Sequence, residues 1–407
     1  MIMWELIQAN KRKSIVLFIS LGMTLLLLGY FFGGAYYPDG GGYIGIFFAL
    51  IIWGILSLIS YFSGSKILLA VSGAKEVTKE VHPQLFNVVE EMKISAGLPK
   101  MPKIYIINEA APNAFATGIK PEESAVAVTA GLLARLNRDE LQGVIAHEVS
   151  HIVNRDVLFV TFAGIMLGSI VLISEIFLRS LWFSGGGRYS SRSSKSSGQG
   201  QMIIMIIAIV FAILAPILAQ LLYFAISRKR EYLADASAVR YTRYPEGLAS
   251  ALEKISDTSI DLKSANKVTA PMYIINPLKP KGMKLSDLTS THPPTSERIR
   301  ILRSISGGAN YVNYQSAFNN VKHAKSTIIP SSGLTDNTQI ALKEMAAVPI
   351  VLGVSKQNKR DTGDIMMKVN KYSFIDCKCG LKIKIPPDFK KNELFCPRCG
   401  RLHKLEQ

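Results

Sequence analysis

The sequence predicts an α+β protein held in a membrane by four transmembrane helices. It adds a mainly helical soluble domain that carries a small β-sheet, and a small C-terminal module built on cysteines. Three observations predict this. Apolar stretches near 14–33, 43–63, 157–178 and 202–226 match the ~20 residues that a helix needs to cross ~30 Å of hydrocarbon. Between the second and third, residues 64–156 mix short strand-like runs with helical periodicity. All 4 cysteines of the 407-residue chain lie between Cys377 and Cys399, as two close pairs.

The first stretch follows Lys11-Arg12-Lys13, which resembles the n-region of a signal peptide, but the run is too long for one and lacks a clear small-residue cleavage site. The Gly-rich turn Pro38–Gly42 leads into the second stretch and makes a helical hairpin. Stretches three and four contain Glu175 and Pro216, both tolerable in a span, and the segment GGGRYSSRSSKSSGQG that joins them reads as flexible. The basic cluster at 11–13 against the single Asp39 of the first loop puts the N-terminus in the cytoplasm. With four spans, every soluble segment and both termini are then cytoplasmic. Arg179, Arg188, Arg192 and Lys195 in the third loop disagree, and Arg228, Lys229 and Arg230 after the fourth span pull the other way. The net charge of +17 would point to nucleic acid in a soluble protein, but membrane proteins gather Lys and Arg beside their spans, so charge alone does not decide.

In the soluble parts, KIYIIN (103–108) and SAVAVT (124–129) read as strands, and Pro245 stands at the first position of a helix, PEGLASALEKIS. Residues 307–365 show little periodicity and read as a linker or irregular region. The expected organisation is therefore an N-terminal hairpin at 1–63, a domain at 64–306 interrupted by spans three and four, that linker, and a cysteine module at 366–407.

The segment NRDELQGVIAHEVSHIVNRD holds His147-Glu148-x-x-His151 with no Gly or Pro after Gly143, and Asn137 and Glu140 fit a capping box. On a helix the two imidazoles fall one turn apart on one face with Glu148 beside them, the arrangement of a zinc site with its general base. The competing reading is a solvated amphipathic helix, against which stand the surrounding Val144, Ile145, Val149 and Ile152. Catalytic zinc takes three protein ligands and one open position. Just past span four, RKREYLADASAVR puts Glu231 and Asp235 one turn apart. Glu231 is the expected third ligand, and Asp235 the acceptor for the second ring N–H of a ligating histidine; a solvated, salt-bridged face is the alternative. Two spans separate HExxH from Glu231, so both lie on one side of the membrane. His292 and Arg298, in THPPTSER, are candidates to stabilise the oxyanion, set against a surface loop and helix cap.

HExxH at 147–151, RExLAD at 230–235 and HPP with a following Arg at 292–298, in this order around spans three and four, make residues 1–305 resemble the HtpX-type membrane zinc metallopeptidases. These are part of the gluzincin group, with the Ste24-like CAAX proteases. The resemblance implies a gluzincin-like protease domain with Glu231 as a ligand, and His292 and Arg298 binding the tetrahedral intermediate. It implies that Asn113, Ala114, Phe115 and Ala116 form an edge strand to which substrate adds in extended form. It also implies a role in degrading misfolded or damaged membrane proteins, which makes these and the lipid bilayer the expected partners.

The tail is an extension that many relatives lack. CKCG (377–380) and CPRCG (396–400) form a zinc-ribbon pattern in which Cys377, Cys379, Cys396 and Cys399 hold a second, structural zinc, with His403 as a substitute ligand. Ten Lys or Arg face four acids over 366–407, and beside a membrane anionic lipid or protein is a better expected partner than nucleic acid. Two other functions fit parts of the pattern: a prenyl-peptide protease of the Ste24 type, expected to have seven spans, and a non-catalytic zinc-binding membrane receptor, which would not require Glu148.

Overall fold

The computed structural model describes residues 2–37, 39–118, 120–184, 197–258, 260, 262, 273–275, 292–323, 326–335, 338–343 and 355–405. Helices α1 (Ile2–Tyr36) and α2 (Gly41–Val71) form the N-terminal hairpin, turning through Gly40 at a φ of 83° that glycine adopts without strain. Strand β1 (Ala74–Glu76), helix α3 (Pro83–Ala96) and strands β2 (Lys103–Ile107), β3 (Ala114–Thr117) and β4 (Ala125–Thr129) follow. Next come α4 (Ala130–Leu133), α5 (Arg138–Val153), α6 (Asp156–Ser184), α7 (Ser197–Thr242) and α8 (Pro245–Ser256). After these stand α9 (Thr295–Arg303), α10 (Tyr311–Lys322), α11 (Ser331–Leu334) and α12 (Lys356–Val369). The chain ends in two hairpins, β5 (Ser373–Asp376) with β6 (Lys382–Ile385), and β7 (Glu393–Phe395) with β8 (Leu402–Lys404).

Among the described residues, 4 helices are long and apolar enough to cross a membrane, over Ser14–Tyr36, Gly41–Val71, Ala163–Leu181 and Met202–Leu221. This agrees with the expected spans. Helix α1 lies against α2, α6 and α7. Its stripe Leu17, Leu21, Leu25 and Leu28 packs with Ala163, Met166, Ile170, Ala215 and Ala219. The opposite faces leave Ile15, Phe47, Phe48, Ile203 and Leu218 exposed, as a lipid-facing surface requires. Helix α7 runs unbroken through Pro216, so span four and the segment that follows it are one element. The Gly/Ser-rich joint between spans three and four lies largely outside the described residues.

The soluble sheet has the order β1-β2-β4-β3, with β2 and β4 parallel and the outer pairings antiparallel. Strand β3 is therefore an edge, and it lies beside α5. The capping box forms as expected: Asn137 Oδ1 accepts from the Glu140 N–H and Glu140 Oε2 from the Asn137 N–H, each at 2.9 Å. Helix α5 is packed by α3, α7 and α8. It needs Gly143, because a Cβ there would stand 2.6 Å from Leu248 N on α8.

The structure differs from expectation over 307–365. Helix α10 buries Tyr311, Tyr314, Gln315 and Phe318, and its apolar residues join the main core with Tyr232, Ile301 and Ile329. The helical face is real, but tyrosines and a glutamine carry it, so hydropathy alone does not reveal it.

Candidate active site

Helix α5 presents His147 and His151 one turn apart, and α7 presents Glu231 opposite them. The two Nε2 atoms lie 3.3 Å apart, and Glu231 Oε2 and Oε1 stand 3.5 Å from the Nε2 of His147 and His151 respectively. Ligands held ~2.0–2.1 Å from a tetrahedral zinc ion lie ~3.3–3.4 Å from one another, so the spacing fits the metal. The outer nitrogens support the same reading. His147 Nδ1 lies 2.9 Å from Asp235 Oδ1 and His151 Nδ1 3.3 Å from Asp156 Oδ2, which makes Nδ1 the donor in each ring and turns the Nε2 lone pairs toward one point. Glu231 Oε2 is buried and accepts no hydrogen bond from the described residues.

Glu148 is 1% exposed, and its Oε1 has no hydrogen-bond partner among the described residues. Burial, aided by the charge of Glu231, raises its carboxyl above the ordinary carboxylate range, while His147, His151 and the backbone N–H of Ala116 pull it back. Burial also acts on Glu231, yet His292, His147 and His151 hold it well below that range. His292 Nε2 lies 3.5 Å from Glu231 Oε2, and burial, with Arg298, His147 and His151, lowers its imidazole to about 4, so it is neutral at pH 7.

Arg298 is fully buried behind His147. It donates from Nε and Nη2 to the two oxygens of Asp235 at 2.9 and 2.7 Å, and from Nη1 to the Ile274 carbonyl at 3.1 Å. Its Nη1 is also 3.6 Å from Glu231 Oε2. The structure therefore brings Arg298 to Asp235 and the back of the site.

Asn113, Ala114, Phe115 and Ala116 are buried and lie at or beside the edge strand, and residues 273–275 lie against its outer side. The Ile274 N–H donates to the Ala114 carbonyl at 3.0 Å, Asn113 Nδ2 donates to the Ile275 carbonyl at 2.9 Å, and Phe115 meets Tyr273 edge to face with centroids 5.2 Å apart. Sequence reasoning missed three participants: Asp156, Arg230 and the 273–275 segment. Nothing in their spacing marks them, since each is brought in by a chain turn or by a segment remote in sequence.

At the C-terminus, Cys377 and Cys399 Sγ are 3.5 Å apart and Cys379 and Cys396 Sγ 3.7 Å, with all four sulfurs within 4.8 Å of one another. Thiolates ~2.3 Å from a tetrahedral ion would lie ~3.8 Å apart, so this cluster also fits zinc. Each knuckle is closed by a glycine N–H, from Gly380 to the Cys377 carbonyl at 2.8 Å and from Gly400 to the Cys396 carbonyl at 2.9 Å.

A mainly helical domain anchored by four apolar helices, with two histidines and a glutamate converging beside a buried glutamate, defines a membrane metallopeptidase. The profile of Peptidase family M48 matches residues 79–306. Relatives named Protease HtpX homolog include that of Dictyoglomus turgidum, 46% identical over 305 residues, which are 74% of this chain and 94% of the relative. That of Listeria monocytogenes serotype 4a is 44% identical over 308 residues, 74% of this chain and 100% of the relative. The chain belongs to peptidase family M48. Among solved structures, the crystal structure of S. mikatae Ste24p is similar at a TM-score of 0.35 and 22% identity, covering 72% of this chain and 65% of that one.

Proposed function

We propose that the zinc ion of this metallopeptidase is held by His147, His151 and Glu231, and that Glu148 is its general base. The observation that carries this reading is the spacing of 3.3–3.5 Å among the Nε2 atoms of His147 and His151 and the two carboxylate oxygens of Glu231, with a buried carboxyl one residue from His147. When bound, zinc lowers the pKa of its water toward ~7 and polarises the scissile carbonyl. The chain's own groups then do the rest. Glu148 takes the water proton and passes it to the leaving amine nitrogen. Asp235 holds His147 in one tautomer. His292, neutral and donor-bearing, faces the ligand side and stabilises the developing oxyanion. The burial of Arg298 and its bonds to Asp235 support a role exerted through Asp235 and His147. The substrate backbone adds along β3 at Ala116, beyond the position that Ile274 occupies.

The substrates of this reading are unfolded or damaged membrane proteins, in keeping with the proteases it resembles. The protease domain and both termini face the cytoplasm, the cysteine cluster holds a second, structural zinc, and the protease domain extends past the expected limit at 306 to take in α10, whose buried face joins its core. The test compares the purified full chain with Glu148→Gln, measuring zinc content and cleavage of an unfolded protein together. A variant that keeps its zinc and loses cleavage supports the base assignment. A wild type that binds zinc but cleaves no unfolded substrate refutes the endopeptidase reading.

A further inference from the structure

The two histidines of α5 are supported from opposite directions. For His147 the carboxylate is Asp235, one turn beyond Glu231 on α7. For His151 it is Asp156, 1% exposed, whose Oδ2 lies 3.3 Å from Nδ1. Five residues apart on an unbroken helix, the two would stand ~140° apart around the axis and could not meet. They meet because the helix breaks: α5 ends at Val153, Arg155 takes a left-handed φ of 57°, and α6 starts afresh at Asp156. A non-glycine residue in that region is uncommon and persists where its surroundings over-determine it.

Behind Asp156 stands Arg230, 3% exposed, its Nε 3.8 Å from Asp156 Oδ1. It directly precedes Glu231 on α7. The order imidazole Nδ1, carboxylate, guanidinium thus occurs twice: His147, Asp235 and Arg298 on one side, His151, Asp156 and Arg230 on the other. Of the first, the sequence shows only the four-residue spacing of Glu231 and Asp235, and the fold adds Arg298; the second is made only by the fold.

We propose that Asp156 is the positioning residue of His151: it accepts the Nδ1–H, fixes the tautomer that turns Nε2 to the metal, and is itself held by Arg230. The proposal rests on the reading that His147, His151 and Glu231 hold zinc. Asp156 opens the helix that continues into span three, and Arg230 lies on the helix that continues from span four. The pair therefore ties both membrane helices to one ligand.

The test measures zinc affinity of the purified full chain in detergent by competition with a chromophoric chelator. The binding step that Glu231→Ala abolishes belongs to this site, which separates it from the cysteine cluster. Asp156→Ala weakens that step about 10–100-fold, the effect of removing a carboxylate from behind a ligating histidine. Asp156→Asn, isosteric and still able to accept, weakens it less and carries the test if the alanine variant does not fold. Arg230→Ala weakens it in the same direction, and the cysteine step stays unchanged in all three. A structural role alone would lower the unfolding temperature of the zinc-stripped protein and leave the zinc affinity as it was. Wild-type affinity at this step in both Asp156 variants overturns the proposal. If Glu231→Ala abolishes no step at all, the ligand assignment falls, and the role of Asp156 with it.

Discussion

Replacing Arg298 with leucine tests whether the charges behind His147 are paired as their geometry indicates. Leucine fills part of the volume but leaves Asp235, 0% exposed, without the two donors at 2.7 and 2.9 Å, and the Ile274 carbonyl without its donor at 3.1 Å. Removing one partner of a buried ion pair costs ~3–5 kcal/mol, and leaving a buried acceptor unmade adds to this. One group works against the loss. Burial alone would lower the imidazole of His147, but the bond to Asp235 and the nearby carboxylate of Glu231 outweigh burial and raise it to about 9 in the metal-free protein. At pH 7 that imidazolium partly compensates Asp235, so the lower end, ~3 kcal/mol, is expected for zinc-stripped protein. At ~2–4 °C per kcal/mol for a domain of ~150–250 residues, the unfolding temperature should fall by ~6–12 °C. The assay is thermal unfolding followed by circular dichroism, in detergent with excess chelator. The double variant Asp235→Asn/Arg298→Leu removes both charges and should recover part of the loss, because neighbouring groups are not additive. An Arg298→Leu protein that melts with the wild type, or a double variant that is strictly additive, would refute the pairing.

Four further outcomes follow from the same geometry. A histidine whose folded pKa is raised stabilises fully below its unfolded value of 6.5 and loses that contribution as pH rises through about 9. The metal-free protein should therefore melt lower at alkaline than at neutral pH, and zinc binding near neutrality should release ~1 proton from His147; binding heats that do not vary with the ionisation enthalpy of the buffer would contradict this. Helices α1 and α2 touch through glycines, where a Cβ on Gly45 would stand 1.9 Å from the Gly29 carbonyl oxygen, whereas one on Gly54 meets nothing within 4 Å. Gly45→Leu should destabilise the hairpin by ~1–3 kcal/mol of overpacking or more, read as a smaller folded fraction surviving heating in detergent, with Gly54→Leu as the tolerated control. Arg155→Val should destabilise by ~1–2 kcal/mol through its left-handed backbone, with Arg155→Gly close to wild type by differential scanning calorimetry.

The sequence made the membrane spans, the capped helix α5 and the grouping of His147, His151 and Glu231 legible, because each rests on a local period or on the count of spans between two motifs. The interior strands β2 and β4 were readable as apolar runs, whereas β3 is four residues long and defined by its neighbour. Helix α10 escaped because tyrosines form its buried face. Asp156 escaped for a different reason. Its meeting with His151 depends on one left-handed residue, Arg155, and no propensity marks an arginine for that conformation.

The basic triplet after span four shows how far a charge count can mislead. Read as sequence, Arg228, Lys229 and Arg230 are three equal flanking charges that argue for orientation. In the fold they are unequal: Lys229 faces solvent, while Arg230 is 3% exposed and turned to Asp156. On a helix that carries a ligand at 231, position 230 is rotated ~100° from that ligand and meets the start of α6, where a carboxylate awaits it. Orientation therefore rests more on the N-terminal cluster against Asp39 than on this triplet. A charge that sequence reasoning assigns to the membrane surface belongs instead to the support of His151.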